Sequence, residues 1–189
     1  MEEDKQNDKG NVSSISGDEY LKIVETIKPI LESVQPSDSP KFVFITGGIG
    51  AGKTTIRRHE FSKDYINFDF AEIGKAIEKA FGEKHPRLMD YSFWACDMIL
   101  GDSITNHKNI VVELIGDNVD QITILSTKMK ELGYEVNING IICEVAEAYK
   151  RHKKAIAEDK DYMSSYFSLE LTLMSLYTHL GLGKVPMNQ

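Results

Sequence analysis

Apolar residues form two patterns along the chain, short continuous runs and recurrences at helical spacing, and segments with the two patterns alternate. Apolar runs typical of buried strands lie at 41–46, 65–70, 109–114 and 134–143. Between and after them, apolar residues at helical spacing cover 52–61, 71–81, 90–105, 121–132 and 144–157. Strands that alternate with helices predict a mainly parallel sheet with helices on both faces.

A helix is predicted on each side of this core, which spans 41–157. Ser16 followed three residues later by Glu19 is the pattern of a capping box, and it predicts a helix over 17–34. Apolar residues at helical spacing predict a last helix over 164–182. The last helix is strongly apolar and is expected to pack on the core, with a partner surface as the alternative.

Residues 1–15 are mostly polar and are predicted to form a disordered, acidic tail. The remainder, 16–189, is predicted to be a single domain, because a chain of 189 residues suits one α/β domain with a substantial core. No run approaches the roughly 18 apolar residues of a membrane span, and the acidic start is unlike a signal peptide. The cytoplasm is therefore the expected location.

Composition narrows the class of protein. The formal net charge of −7 argues against a long nucleic-acid surface. Cys96 and Cys143 lie in apolar patterns without a Cys-x-x-Cys spacing, so both are predicted to be buried, reduced thiols. The histidines do not cluster at the spacings of zinc ligands. A soluble globular protein without a structural metal is therefore expected.

The most specific motif is Gly-x-x-x-x-Gly-Lys-Thr, which lies between the first predicted strand and the next helix. Its glycines let the backbone N–H groups surround a phosphate, and the dipole of the helix attracts the same anion. Lys53 is expected to reach the β- and γ-phosphates, and the Thr54 hydroxyl to bind Mg²⁺. The predicted nucleotide-binding residues are Gly47, Gly48, Ile49, Gly50, Ala51, Gly52, Lys53, Thr54 and Thr55.

This motif in this context predicts the P-loop NTPase fold, a three-layer α/β sandwich whose mainly parallel sheet carries helices on both faces. ATP or GTP, with Mg²⁺, are the expected cofactors. GTPases of this class carry an Asn-Lys-x-Asp motif that this chain lacks, and motor ATPases are usually longer. The sequence therefore favours a kinase that acts on a small-molecule acceptor.

Carboxylates at strand ends are candidates for the chemistry, since open parallel sheets bind ligands there. Asp69 ends the second predicted strand and could orient an acceptor hydroxyl and take its proton, or simply cap the next helix. Glu113 ends the third and could hold acceptor hydroxyls or a metal-bound water, or could be a solvated or capping carboxylate. Asp97 lies on or beside the apolar stripe of its helix, where a carboxylate needs a partner.

The chain resembles the zeta-toxin family of P-loop kinases over about 41–154. Besides the P-loop, the resemblance rests on Asp69, on the run 109–113 followed by Gly116, and on the segment 128–135. Members of this family phosphorylate the sugar of uridine diphosphate-N-acetylglucosamine with ATP or GTP and Mg²⁺. An antitoxin partner is also implied.

The resemblance implies roles for individual residues. Lys53 and Arg151 would act on the transferred charge, and Asp69 would be the catalytic base. The substrate-binding residues that it implies are Asp97, Glu113 and Gly116.

The chain also departs from the family pattern. Ile115-Gly116-Asp117 stands where the family usually has Thr-Gly-Arg, and no arginine follows Arg151, whereas the family carries two lid arginines. An arginine of this kind is worth about 10³–10⁵ in rate. Two alternatives therefore stay open: a nucleoside, nucleotide or polynucleotide kinase, and a nucleotide-binding module with little catalysis.

Overall fold

The structure, a computed structural model, describes residues 15–158 and 164–185, so nearly all of the predicted tail lies outside it. The strands are β1 (Lys41–Gly47), β2 (Ile66–Asn67), β3 (Ile110–Leu114) and β4 (Glu135–Ile141). The helices are α1 (Gly17–Glu32), α2 (Lys53–Glu60), α3 (Phe70–Phe81), α4 (Leu88–Thr105), α5 (Val119–Glu131), α6 (Val145–Glu158) and α7 (Ser164–His179). The four strands form a parallel sheet in the order β2-β3-β1-β4.

The two central strands have the continuous apolar sequences that a sheet covered on both faces requires. All of β3 is buried, as are residues 42–45 of β1, and the two strands pair from Phe42 with Ile110 to Thr46 with Leu114. Because the strands are parallel, their carboxyl ends lie at one edge of the sheet. That edge carries the P-loop after β1 and Glu113 near the end of β3.

The second strand is much shorter than predicted. The sequence predicts a strand over 65–70, whereas β2 contains only Ile66 and Asn67. The chain leaves the sheet because the side chain of Asp69 accepts hydrogen bonds from the backbone of Ala71 and Glu72 and so begins α3. The early end of β2 brings Asp69 to the sheet edge as a helix cap.

Helices cover the two faces of the sheet unequally. On one face, Phe42, Phe44 and Val112 belong to the large core formed with α1, α3, α4, α5 and α7. On the other face, Val43 and its neighbours form a small cluster, and α2 contacts β1 and β3. The predicted P-loop NTPase-like α/β fold is confirmed, with one thick and one thin helical layer.

The predicted capping box is present at the start of α1. The Ser16 hydroxyl accepts from the backbone N–H of Glu19 at 3.2 Å, and the Glu19 carboxylate accepts from the backbone N–H of Ser16 at 2.8 Å. The same carboxylate accepts a hydrogen bond from the Tyr91 hydroxyl and pairs with Arg87 at 3.4 Å. The cap therefore also ties α1 to α4.

The last helix packs on the core, as predicted, and Leu176 and Tyr177 on α7 are buried.

Of the two thiols, only Cys96 is buried, and burial raises its pKa to about 12. The prediction for Cys143 is wrong, because this residue lies in the short loop between β4 and α6 and is only half-buried. None of the described helices has the length and apolar character needed to cross a membrane.

Candidate functional site

The P-loop leaves β1 and enters α2 through several glycines, and at Gly50 and Gly52 the positive φ would strain any other residue. Gly50 has a φ of +72°, and a Cβ built there would lie 2.4 Å from the backbone oxygen of Ala148 on α6. Gly52 caps α2 with a left-handed φ of 102°. The loop is therefore held between its own helix and α6, with its backbone N–H groups at the start of α2.

Lys53, the first residue of α2, is buried within the loop. Its ammonium donates hydrogen bonds to the backbone oxygens of Gly47 at 2.8 Å and Gly48 at 3.1 Å. Burial lowers the pKa of Lys53, while the negative charge of Glu113 opposes this change. The position is that expected for a lysine that contacts phosphates bound in the loop.

Glu113 lies against the P-loop helix. Its Oε2 accepts a hydrogen bond from the Thr54 hydroxyl at 3.0 Å, and its Oε1 accepts one from Nε of Arg57. The Glu113 side chain is only 7% exposed, so both carboxylate oxygens depend on these two partners. Residues predicted separately for the metal and for the substrate are thus in direct contact.

Arg57 is the residue that the sequence interpretation missed. Its guanidinium is 5% exposed and lies among three carboxylates: besides Glu113, Nη2 is 2.8 Å from Glu72 Oε1 and 3.7 Å from Asp69 Oδ2. Burial lowers the pKa of Arg57, but its hydrogen bonds and charge contacts with Glu72 and Glu113 outweigh burial and raise it. The sequence contained one signal for Arg57. It follows Thr54 by three residues in the predicted helix, so both side chains are expected on the same helix face.

Asp69 caps α3, which is one of the two alternatives that the sequence left open, and its role as a base stays a prediction. Its Oδ1 caps α3 by accepting from the backbone N–H groups of Ala71 at 2.9 Å and Glu72 at 3.3 Å, whereas its Oδ2 faces Arg57. Burial, and then the charge of Glu72, raise the pKa of Asp69 against the opposing effect of Arg57. The cap fixes the carboxylate and leaves Oδ2 directed at the arginine.

A cavity of about 400 Å³, here called the nucleotide cavity, brings these residues together. Five cationic side chains and three carboxylates line it. This local excess of positive charge, in a protein of net charge −7, favours an anion. The ionisable lining residues are Lys53, Arg57, Arg58, Lys75, Arg151, Asp69, Glu72 and Glu113.

Arg151 reaches this cavity from α6. Its Nε donates to Glu147 at 2.8 Å, its Nη1 donates to the sulfur of Cys143 at 3.8 Å, and Nη1 is 3.9 Å from a Cβ built on Gly52. The structure therefore shows Arg151 beside the P-loop. The catalytic role that the resemblance implies for this arginine stays a prediction.

Two other predicted residues lie elsewhere. Asp97 does not line the nucleotide cavity: its side chain is 63% exposed and contacts Nδ1 of His179 on α7. Gly116 has a φ of +75°, and a Cβ built there would lie 2.7 Å from Cβ of Thr46, so it is packed against β1. Gly116 lines a second cavity, described below. The substrate-binding roles of both residues stay predictions.

The residues at the loop are chemically suited to a nucleotide with Mg²⁺. Thr54 and Glu113 offer oxygen atoms side by side, and Mg²⁺ prefers oxygen ligands, with water and phosphate completing its shell. The glycines leave room for a phosphate to approach the backbone. The donor set therefore fits a metal that is shared between the protein and the nucleotide.

The fold and this loop define a P-loop NTPase-like protein of the α/β class. The family model described as Zeta toxin matches residues 25–161. The chain belongs to the zeta-toxin family, a group of kinase-like P-loop proteins.

One solved structure extends the comparison. A chain described with the PezAT chromosomal toxin-antitoxin system of the human pathogen Streptococcus pneumoniae is similar, with a TM-score of 0.55 and 17% sequence identity. The match covers 81% of this chain and 70% of that chain. At this identity the likeness bears on the fold alone. No curated protein matches the chain.

Proposed function

We propose that the protein transfers the terminal phosphate of ATP or GTP to a hydroxyl group of a small molecule. The observation that carries this proposal is that Lys53, Thr54 and Asp69 line one cavity at the carboxyl edge of the sheet. A phosphate-binding loop alone requires no base. A loop that faces a fixed carboxylate across the same cavity has the two parts that a kinase needs.

The donor side would be held by the P-loop and its lysine. The backbone N–H groups at the start of α2 would bind the phosphates, and Lys53 would contact the β- and γ-phosphates. Thr54, with Glu113 beside it, would hold Mg²⁺, which when bound neutralises charge on those phosphates. Arg57 would keep Glu113 in place through its buried hydrogen bond.

On the acceptor side, Asp69 would orient the hydroxyl through Oδ2 and take its proton. A bond forms between the acceptor oxygen and the γ-phosphorus, the bond from that phosphorus to the β–γ bridging oxygen breaks, and ADP or GDP leaves. A raised pKa makes the Asp69 carboxylate a better proton acceptor. The cap through Oδ1 supports this role because it holds the carboxylate in one orientation.

Arg151 is the arginine best placed to stabilise charge on the transferred group. Arg57 already contacts three carboxylates, and Arg58 is 72% exposed and pairs with Glu72. Arg151 reaches the loop from α6, and its guanidinium lies close to Gly52. A planar guanidinium suits a phosphoryl group better than the point charge of a lysine.

A transfer screen tests the proposal. γ-³²P-labelled ATP and GTP are incubated with pools of sugars, nucleotide sugars, nucleosides and oligonucleotides. The wild-type protein is expected to label an acceptor, and Lys53→Ala and Asp69→Asn are expected to abolish labelling. Glu131→Gln, an exposed carboxylate outside both cavities, is the matched control and should label normally.

The outcomes separate the competing functions. A labelled oligonucleotide would favour the polynucleotide kinase instead. Nucleotide binding measured by calorimetry, without any labelled acceptor, would favour the binding module with little catalysis.

We also propose that the activity is toxic and is restrained by a protein partner. This rests on the family and on the toxin-antitoxin system named for the similar structure. Induction of the wild-type chain alone is expected to arrest bacterial growth, and induction of Lys53→Ala is not. Normal growth with abundant, folded wild-type protein would contradict the toxicity.

A further inference from the structure

A second and larger cavity, of about 630 Å³, lies beyond the end of β3 between α5 and α7. Leu169 lines both cavities, and Leu114, which lines the second, directly follows Glu113, which lines the first. The two cavities therefore adjoin at the carboxyl edge of the sheet. A volume in the range of about 300–1,000 Å³ is typical of small-molecule sites.

One wall of this second cavity is apolar. Leu173 and Tyr177 on α7 are buried side chains, and Ile122 on α5 and Met174 on α7 complete this wall. The Tyr177 hydroxyl donates to the backbone oxygen of Gln121 at 3.3 Å, so its ring is fixed against α5. This wall would bury the apolar part of a ligand.

The charges of the second cavity differ in sign from those of the nucleotide cavity. Within the described part of the chain, its lining contains the carboxylates of Asp117 and Glu170, and Lys184 is its one cation. A phosphate group placed here would face more negative than positive charge. A Cβ built on Gly116 would lie 2.7 Å from Cβ of Thr46, so the backbone next to Asp117 runs close to the end of β1.

We propose that the second cavity binds the phosphate acceptor, and that this acceptor is an uncharged or cationic hydroxyl compound with an apolar part and without phosphate groups. This inference rests on the proposed transfer reaction. It differs from the nucleotide-sugar acceptor that the family resemblance implies. The apolar part would contact Leu173 and Tyr177, a hydroxyl would point past Leu169 towards Asp69, and a cationic group would lie near Glu170.

Binding is measured first, without any requirement for catalysis. The methyl group of Met174 lies on the apolar wall, and ¹³C-methyl NMR follows it, with the signal assigned from Met174→Leu. Three hydroxyl probes share a phenyl glycoside and differ mainly in charge: phenyl β-D-glucoside is neutral, phenyl β-D-glucosaminide is cationic, and phenyl β-D-glucoside 6-phosphate is anionic. The first two are expected to shift the Met174 signal and the third is not. A shift with the anionic probe only, or with none of the three, overturns the inference.

A charge variant then tests the acidic end. Glu170→Lys is expected to weaken binding of the cationic probe roughly tenfold and to change binding of the neutral probe less. Because Glu170 is exposed, the substitution should leave the fold intact. Glu131→Lys is the matched control outside the cavity, and equal effects of the two variants contradict the assignment.

The transfer assay separates this inference from the function on which it rests. With γ-³²P-labelled ATP, a probe that shifts the Met174 signal is expected to become labelled. Binding of a probe without its labelling, when the pooled screen also labels no acceptor, would refute the phosphotransferase while leaving the charge preference of the cavity in place. Labelling of the anionic probe alone would support the phosphotransferase and refute the proposed acceptor class.

Discussion

The guanidinium of Arg57 lies 3.7 Å from the carboxylate of Asp69, measured from Nη2 to Oδ2. This contact joins the helix that follows the P-loop to the residue that begins α3. The same guanidinium binds Glu113 and Glu72. One buried cation therefore positions the proposed base, Asp69, and the carboxylate of Glu113 that accepts from the Thr54 hydroxyl.

Removing this cation should destabilise the fold. Arg57→Ala leaves Glu113 buried beside the Thr54 hydroxyl alone, and breaking a buried pair from one side costs about 3–5 kcal/mol. Urea denaturation measures the free energy of unfolding. Arg58→Ala is the control, since Arg58 is 72% exposed and should change stability by less than about 1 kcal/mol. Equal stabilities of the two variants would show that Arg57 is not the centre of the network.

Asp69→Asn should abolish transfer and make the protein more stable at neutral pH. Asparagine still caps α3, so the helix start is retained. In the wild type the folded-state pKa of Asp69 is raised above 3.8, so the folded state binds the proton more tightly than the unfolded state does. Stability therefore falls as pH rises from 3.8 through the folded pKa, and the variant lacks this fall.

Free energies of unfolding measured across that pH range check the prediction. Asp38→Asn, an exposed carboxylate, is the control and should keep the wild-type pH dependence. An Asp69→Asn protein with the same pH dependence as the wild type would mean that burial of Asp69 has no energetic effect.

The P-loop glycines should respond differently to alanine. At Gly50 an added Cβ meets the backbone of Ala148 at 2.4 Å and the φ is +72°, so Gly50→Ala should cost about 1–3 kcal/mol and weaken nucleotide binding. At Gly48 an added Cβ meets nothing within 4 Å, so Gly48→Ala should keep the stability of the wild type. Thermal unfolding and ATP calorimetry compare the two. A Gly48→Ala protein as damaged as Gly50→Ala would refute the steric reason.

Arg151→Ala should lower the transfer rate without a matching loss of nucleotide affinity. An arginine that stabilises the transferred group is worth about 10³–10⁵ in rate. Lys154→Ala is a control on the same helix, because Lys154 is exposed, pairs with Glu158 and does not line the cavity. Single-turnover rates measure the transfer step, and calorimetry measures nucleotide binding. If both variants transfer at the wild-type rate, Arg151 has no catalytic role.

The sequence predicts the parts of this fold that depend on local pattern. The apolar runs of β1 and β3 locate the buried strands because both faces of the sheet are covered there. Ser16 and Glu19 mark the start of α1 because a capping box involves only residues three positions apart. The P-loop is predicted for the same reason, since its motif is continuous in the chain.

Features that depend on distant residues escape this kind of prediction. Arg57 meets Glu113 across 56 positions, and no local pattern indicates that contact. Asp97 is exposed although apolar residues lie beside it in the sequence. The sequence could not predict this exposure, because apolar residues surround most of α4 and do not indicate which face is buried. The strand β2 is shorter than its apolar run in the sequence. The helix cap at Asp69 ends the strand before the apolar run ends.

Helix α7 forms a wall of both cavities. Ser168 and Leu169 line the nucleotide cavity, whereas Leu173 and Met174 line the second, and the Thr172 hydroxyl between them accepts a hydrogen bond from the backbone of Phe70. A helix tends to shift as one rigid body. If either ligand displaces α7, the affinities of the two are coupled, and that coupling is equal in both directions. Synergy or antagonism between donor and acceptor would then be a property of this shared wall.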